Sequence, residues 1–398
     1  MVIINGKHRR AKALISQSRY VLYILNFVFA LHLALISYYL SPFLISSGFP
    51  EAFIGLLYAT GSMITLIAIA YAPTLLKKYG NYTNLLTLGL IEIIAFLGFA
   101  FVHNIFFVFF FFLIAMIIPT LIAFSLDIFL EGSTQTESAT SGVRGVFLTV
   151  ANLAWIGAPL VGGFLIYNEN YTWLFLVSAL VFVPFIFLAS SQLEHFKDPD
   201  YKQLSVPAFI TVLSKNIDIR NIFIASFLLR SFYAIMIIYL PLYLHGVLGM
   251  PLSSLGIIVA IAVTAFVLLE IPLGKLEDAY WGEQEVLIIG FAILAIATAS
   301  LSFITTTSVL IWALVMFISR IGAAMVEVST EGYFFKQISA SDTDNVSAFR
   351  MLYPLAYIVS PLLGTAALFF MPLQYIFLLM GIVLLSGILF SMQIHDTR

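Results

Sequence analysis

Apolar runs of membrane-spanning length dominate this chain, and they leave few folds open to it. From Ile105 to Leu130 the sequence reads IFFVFFFFLIAMIIPTLIAFSLDIFL, with Asp127 as its single charge. About 20 apolar residues suffice for a helix to cross the hydrocarbon core of a bilayer. Runs of this kind recur at 20–46, 52–76, 82–102, 104–130, 144–167, 171–190, 219–245, 252–274, 284–304, 308–331, 347–369 and 373–394. The fold class expected is an all-α membrane protein with twelve transmembrane helices.

Composition agrees. The chain is 62% hydrophobic and 10% charged, whereas a soluble domain is roughly 25% charged. A net charge of −2 gives no electrostatic basis for a nucleic-acid partner. The absence of cysteine excludes disulfides, thiolate metal sites and thiol catalysis. The basic start, MVIINGKHRRAKALISQSRY, leads into an apolar run longer than the roughly 7–15 residues of a signal-peptide core. It reads as a cytoplasmic tail followed by a first span.

Lys and Arg positions set the expected orientation. Lys7, Arg9, Arg10, Lys12, Arg19, Lys77, Lys78, Arg144, Lys197, Lys202, Lys215, Arg220, Lys275, Lys336, Arg350 and Arg398 all fall on one side of the twelve-span scheme. The opposite loops, such as SSGFPEA, YNENYT and LHGVLGMP, carry none. By the positive-inside rule both termini are cytoplasmic, in a multi-pass protein of the inner or plasma membrane. The longest polar stretch, Ser191–Asp218, reads as a cytoplasmic linker with a short amphipathic helix near Ala208–Leu213. It separates an N-terminal six-helix half (1–190) from a C-terminal one (219–398).

The halves repeat each other. Shifting the chain by 200 or 201 residues superposes Tyr39-Leu40 on Tyr239-Leu240, and Gly48, Pro50 and Gly55 on Gly249, Pro251 and Gly256. The same shift places Asp127, Glu131 and Gly132 on Glu327, Glu331 and Gly332, and one more residue brings Pro159 to Pro361. A nearly constant offset across several helices indicates duplication, and two six-span halves in parallel repeat are a transporter architecture.

Two motifs carry a resemblance to a known family. After the eighth span stand Gly274-Lys275-Leu276-Glu277-Asp278 and then Gly282; after the second stands PTLLKKYG, with Lys77 where the motif has Asp. The fifth span holds Gly145, Ala154, Ala158, Pro159, Gly162 and Gly163. The chain resembles the major facilitator superfamily along essentially its whole length. Its fifth span is similar to the g-x8-G-x3-G-P-x2-G-G motif of the twelve-span drug/proton antiporters, with two alanines in place of glycines. The resemblance implies two pseudo-symmetric six-helix bundles and alternating access. Small residues permit close helix approach and Pro159 permits a bend, so the motif also reads as a packing face.

Ionisable residues inside spans are costly and usually face protein or a water-filled cavity. They are His32, Glu92, Asp127, Arg230, Glu270, Arg320 and Glu327, with Glu131 and Glu331 at helix ends. Arg230 and Arg320 each lie roughly 16 Å above a span end at 1.5 Å per residue, near the midplane. In the superfamily the first, fourth, seventh and tenth helices line the cavity, which implies substrate binding by Arg230, Arg320 and His32. A permanently charged guanidinium suits an anionic or acceptor-rich group, or a fixed pair with a buried acid.

Glu92, His32, Asp127 and Glu327 are the proton-coupling candidates, because a buried carboxyl group can exchange its charge for a proton and histidine titrates conveniently. Asp127 with Glu131, and Glu327 with Glu331, share a helix face at i,i+4 spacing. With Arg144, Lys78, Asp278 and Arg350 they look like the family's cytoplasmic gate, or a solvated charge cluster at the membrane edge. Tyr353 and Tyr357 read as packing.

No phosphate-binding loop, metal-ligand cluster or nucleophile–base constellation appears, so neither an enzyme, a cofactor nor a metal is expected. The expected function is secondary transport of a small organic solute, proton-coupled, with the antiporter motif favouring efflux of amphiphilic compounds. Two alternatives stand beside it: an organic-anion or sugar-like solute carried by Arg230 and Arg320, and a non-transporting membrane sensor. The partners expected are the solute, protons and the lipid bilayer, with a monomeric chain.

Overall fold

In the computed structural model the described residues are 2–132, 137–195, 198, 216–337 and 343–396. The predicted linker helix at 208–213 lies outside them. Thirteen α-helices run through the described residues: α1 Val2–Ile36, α2 Leu40–Ser46, α3 Ile54–Tyr79, α4 Asn81–Phe101, α5 Ile105–Gly132, α6 Glu137–Leu165, α7 Thr172–Gln192, α8 Ile217–Pro241, α9 Leu252–Ala279, α10 Glu283–Ser300, α11 Val309–Gln337, α12 Thr343–Leu368 and α13 Tyr375–Ser391. Ten helical segments are long and apolar enough to span a membrane, and the shorter apolar segments Thr149–Leu165 and Tyr375–Ser391 complete the twelve positions read from the sequence. The first span is made by α1 and α2 together.

Duplication is visible in the backbone. α1 ends in a turn at Ser37–Tyr39 before α2, and α8 passes into a π-helical turn at Leu242–Val247. Pro42 and Pro241 sit at these breaks, each removing a backbone donor from the helical ladder. The tight turns that follow use Gly48 (φ 101°) and Gly249 (φ 69°), a conformation that glycine adopts without steric cost.

The starts of α4 and α10 are also equivalent. Asp198 accepts from the backbone N–H of Asn81 at 3.0 Å, and Asp396 from that of Gln284 at 2.9 Å. Each carboxylate meets the positive end of a helix dipole. Gly80 and Gly282 stand where a Cβ would meet these carboxylates.

Within the first bundle α1 packs on α6 and α7, and α4 on α5 and α7; within the second, α11 packs on α9 and α10, and α8 on α12 and α13. Among the described residues the bundles meet chiefly through α6 against α9 and α3 against α12. The buried core is aromatic-rich, with Phe96, Phe175, Phe182, Phe232, Tyr39, Tyr239 and Trp312 all under 2% exposed. The end of the bundle that holds Leu193 and Asn216 is called the linker end below, and the opposite one the distal end.

Candidate functional site

The two bundles meet tightly at the distal end through a feature that occurs twice. Tyr39, beside the break in the first span, donates from its hydroxyl to the carbonyl of Pro159 on α6. A Cβ on Gly256 of α9 would meet that carbonyl at 2.5 Å and the Tyr39 hydroxyl at 2.7 Å. In the repeat, Tyr239 donates to the carbonyl of Pro361 at 3.0 Å, and a Cβ on Gly55 of α3 would collide with that carbonyl and with the Tyr239 hydroxyl. Each node thus joins a tyrosine and a proline carbonyl of one half to a glycine of the other.

The fifth-span motif gains a physical reason. A Cβ on Gly162 would strike the Leu35 carbonyl at 2.5 Å, and one on Gly163 the Leu252 carbonyl at 2.7 Å. The first glycine seats α6 on α1; the second seats it on α9 of the other half. Ala154 and Ala158, both 1% exposed, are buried on the same helix. Gly145 has no described side-chain surroundings.

Below these nodes lies Arg320, 2% exposed. Its guanidinium carbon sits 4.7 Å from the ring centre of Phe232 and 5.7 Å from that of Tyr233, both on α8. Nη2 donates to the hydroxyl of Tyr38 in the other half at 3.1 Å. Nη1 is buried and meets no acceptor among the described residues. A buried donor without a partner costs about 1–3 kcal/mol, and more when charged. An acceptor brought to Nη1 would relieve that cost.

Tyr353 and Tyr357 of α12 stack with ring centres 4.6 Å apart and planes at 28°. Tyr353 is 41% exposed, yet it is within electrostatic range of Arg230 and Tyr38, which come from different helices and both halves.

A second polar node joins the halves. Asn152 of α6 donates from Nδ2 to both carboxylate oxygens of Glu270 on α9, at 3.2 and 3.3 Å. Glu327 of α11 lies within electrostatic range of Glu270 and accepts from the Tyr233 hydroxyl at 2.6 Å. Tyr233 thus touches both the Arg320 site and this acid pair. Glu270 was noted in the sequence only as an intramembrane acid, and Asn152 not at all; an amide beside one carboxylate in facing helices carries no spacing signal.

Arg230 is placed differently from Arg320. Its Nη2 donates to Glu331 at 3.3 Å, with both side chains partly exposed, and its guanidinium lies 5.6 Å from the Phe349 ring. The structure thus brings Arg230 to a residue read as part of the gate. Asp127 is half-buried on α5. Lys78 is exposed, 4.9 Å from the Tyr79 ring centre. Of the remaining gate candidates, Glu131, Arg144, Asp278 and Arg350 have side chains outside the described residues. Beside Asp278, however, Glu277 is 3% exposed and accepts from Ser329 of α11, while Lys336 reaches Glu283 at 3.0 Å. These bonds tie the linker ends of α9, α10 and α11 together.

His32 and Glu92 meet one another, not Arg320. Both are fully buried in the N-terminal bundle, with His32 Nε2 3.1 Å from Glu92 Oε1. His32 Nδ1 lies 2.8 Å from Ser178 Oγ and 3.0 Å from its carbonyl. The ring is held between Phe96 and Phe182, at 4.5 and 4.7 Å. The arrangement joins α1, α4 and α7. At the equivalent place in the repeat stands Phe232, the ring under Arg320.

Comparisons place this architecture among known folds. No curated protein matches the chain. Solved structures do. The nucleoside transporter NupG aligns with TM-score 0.74 and 16% identity over 95% of this chain and 100% of its own. A bacterial homologue of the human lysosomal transporter Spinster, inward-facing and unoccupied, gives 0.66 and 14% over 95% and 93%. The human organic anion transporter MFSD10 (TETRAN) gives 0.66 and 14% over 95% and 99%. At these identities the likeness is one of fold. The family model described as Major Facilitator Superfamily matches residues 136–338, just over half of the chain, and this chain is a member of that superfamily of transporters.

Proposed function

We propose that this transporter moves a small organic solute with an anionic or strongly accepting group, bound at Arg320 between the two bundles. The observation that carries the reading is the buried guanidinium, with Nη2 paired across the halves to Tyr38 and Nη1 without an acceptor among the described residues. The solute completes the donor set, and the bundles rock about it. Together with the positive-inside pattern, the packed distal nodes correspond to a state closed to the outside.

Proton coupling is the second element of the proposal. Glu270 is held by an amide of the opposite half and has Glu327 close by. Ionisable residues inside spans are costly and commonly belong to proton relays. A proton on the pair changes what Asn152 grips, and so links protonation to the contact between halves. Asp127, His32 and Glu92 belong to other parts of the molecule and are not needed for this step. The glycines of the fifth-span motif serve packing, so the direction of transport is left to the gradients, with proton-driven efflux as one mode.

The test is flux in proteoliposomes with a panel of acidic, neutral and basic solutes, with and without an imposed pH gradient. Acids are expected to be carried, and Arg320→Gln to abolish their binding in protein that still elutes as a single folded species. Equal transport of acids by the variant would reject Arg320 as the contact. Flux indifferent to the pH gradient would reject proton coupling.

A further inference from the structure

We infer that the solute is an aromatic acid, a planar ring bearing a carboxylate, and that it stacks on Tyr353 while its carboxylate pairs with Arg320. The inference rests on the reading of Arg320 given above and adds the chemistry of the rest of the solute.

The walls around Arg320 are aromatic on several sides. Phe232 and Tyr233 lie against the guanidinium, and Tyr38 accepts from it. Tyr38 and Tyr58 are both within electrostatic range of Tyr357. These residues come from α1 to α3 and from α8 and α12, so both halves supply rings.

Tyr353 and Tyr357 form a stack in which Tyr357 is covered and Tyr353 keeps exposed surface. Tyr357 is 4% exposed and Tyr353 41%, at a centroid spacing of 4.6 Å and 28° between planes. A third flat ring on Tyr353 continues the stack with offset geometry, which aromatic pairs prefer. Nη1 of Arg320 meanwhile requires an acceptor, and a carboxylate supplies one with a charge that matches the guanidinium. A sugar would leave the guanidinium charge unmatched, and a neutral arene would bring no acceptor to Nη1.

The experiment measures binding of a matched set of probes to the full chain in nanodiscs: benzoate, 1-naphthoate, cyclohexanecarboxylate and benzamide. Benzoate is expected to bind about three- to tenfold more tightly than cyclohexanecarboxylate, the factor a stacked pair contributes, with naphthoate tighter still and benzamide weakest. Tyr353→Leu is expected to remove the preference for benzoate over cyclohexanecarboxylate, and Tyr353→Phe, which keeps a ring, to retain it. Arg320→Gln is expected to bring benzoate down to benzamide. If that variant fails to fold, the wild-type panel and the Tyr353 pair decide.

Cyclohexanecarboxylate bound as tightly as benzoate, in an Arg320-dependent way, would overturn the aromatic inference and leave the anion site standing. Binding of benzamide equal to that of benzoate, or no loss in Arg320→Gln, would overturn both.

Discussion

Tyr38 and Tyr39 are consecutive, yet their hydroxyls serve different contacts: Tyr38 accepts from Arg320 of the opposite half, and Tyr39 donates to Pro159 of its own. Consecutive residues in a helical turn point roughly 100° apart, which sends the two hydroxyls to different helices. One short segment therefore joins the proposed solute site to the distal closure. A solute bound at Nη1 as proposed would share its guanidinium with Tyr38, the residue next to Tyr39.

Loss of the two latch hydroxyls should loosen the distal end. Tyr39→Phe and Tyr239→Phe each remove one hydrogen bond, worth about 0.5–1.5 kcal/mol, and leave the ring in place. The double variant is expected to expose the distal end several-fold more. The chain has no cysteine, so single cysteines introduced near residues 50 and 251 report this by their labelling rates. Unchanged rates in the double variant would show that the nodes do not hold the closure.

Overpacking one node should act more strongly. Gly256→Val places atoms against the Pro159 carbonyl and the Tyr39 hydroxyl, already at 2.5 and 2.7 Å from a bare Cβ. Overpacking costs about 1–3 kcal/mol, here borne by the distally closed state. Faster distal labelling and slower net transport are expected, with the melting temperature little changed. A large fall in melting temperature with unaltered labelling would assign Gly256 to folding alone.

The buried His32–Glu92 contact is expected to be structural. Removing one partner of a buried pair costs about 3–5 kcal/mol, so His32→Ala should lower the melting temperature markedly. Transport per folded molecule, and its dependence on the pH gradient, should persist. Glu92→Gln keeps a hydrogen-bonding group near His32 and should be milder. Loss of pH-driven flux in stably folded Glu92→Gln would instead make this pair a coupling site.

Glu270→Gln separates coupling from binding. The amide can still accept from Asn152, while the titrating group is gone. Solute exchange without a gradient should continue, and uptake driven by an imposed pH gradient should fall at least tenfold. Retained gradient-driven uptake would remove Glu270 from the proton path.

Asp396→Asn addresses the duplicated caps. The carboxylate faces the start of α10, and loss of its charge there should cost roughly 0.3–1 kcal/mol. A small fall in melting temperature with unchanged transport is expected; a change in distal labelling would show that the cap reaches further than its own bundle.

The site was partly legible beforehand. The repeat keeps Asp127 and Glu131 opposite Glu327 and Glu331, while Thr120 falls opposite Arg320, which marks the arginine as particular to the second half. Tyr39 and Tyr239 were aligned by the same repeat, though as markers of duplication and not as latches. Arg230 and Arg320 looked alike by depth. They part company in the structure: Arg230 reaches an acid, Glu331, at 3.3 Å, whereas Arg320 reaches the hydroxyl of Tyr38 at 3.1 Å.

The sequence by itself determined the twelve spans, their division into two repeated halves and the positions of the turns. Each of these follows from a local property: apolar length, a constant offset, or a glycine where φ is positive. Tertiary structure decided the partners. His32 and Phe232 are equivalent by repeat, yet one is sealed with Glu92 and the other lies beneath Arg320. Asn152 meets Glu270 across 118 residues and Arg320 meets Tyr38 across 282. Such pairings depend on helix rotation and on which bundle faces meet, and small residues such as Gly163 and Gly256 set how closely those faces approach.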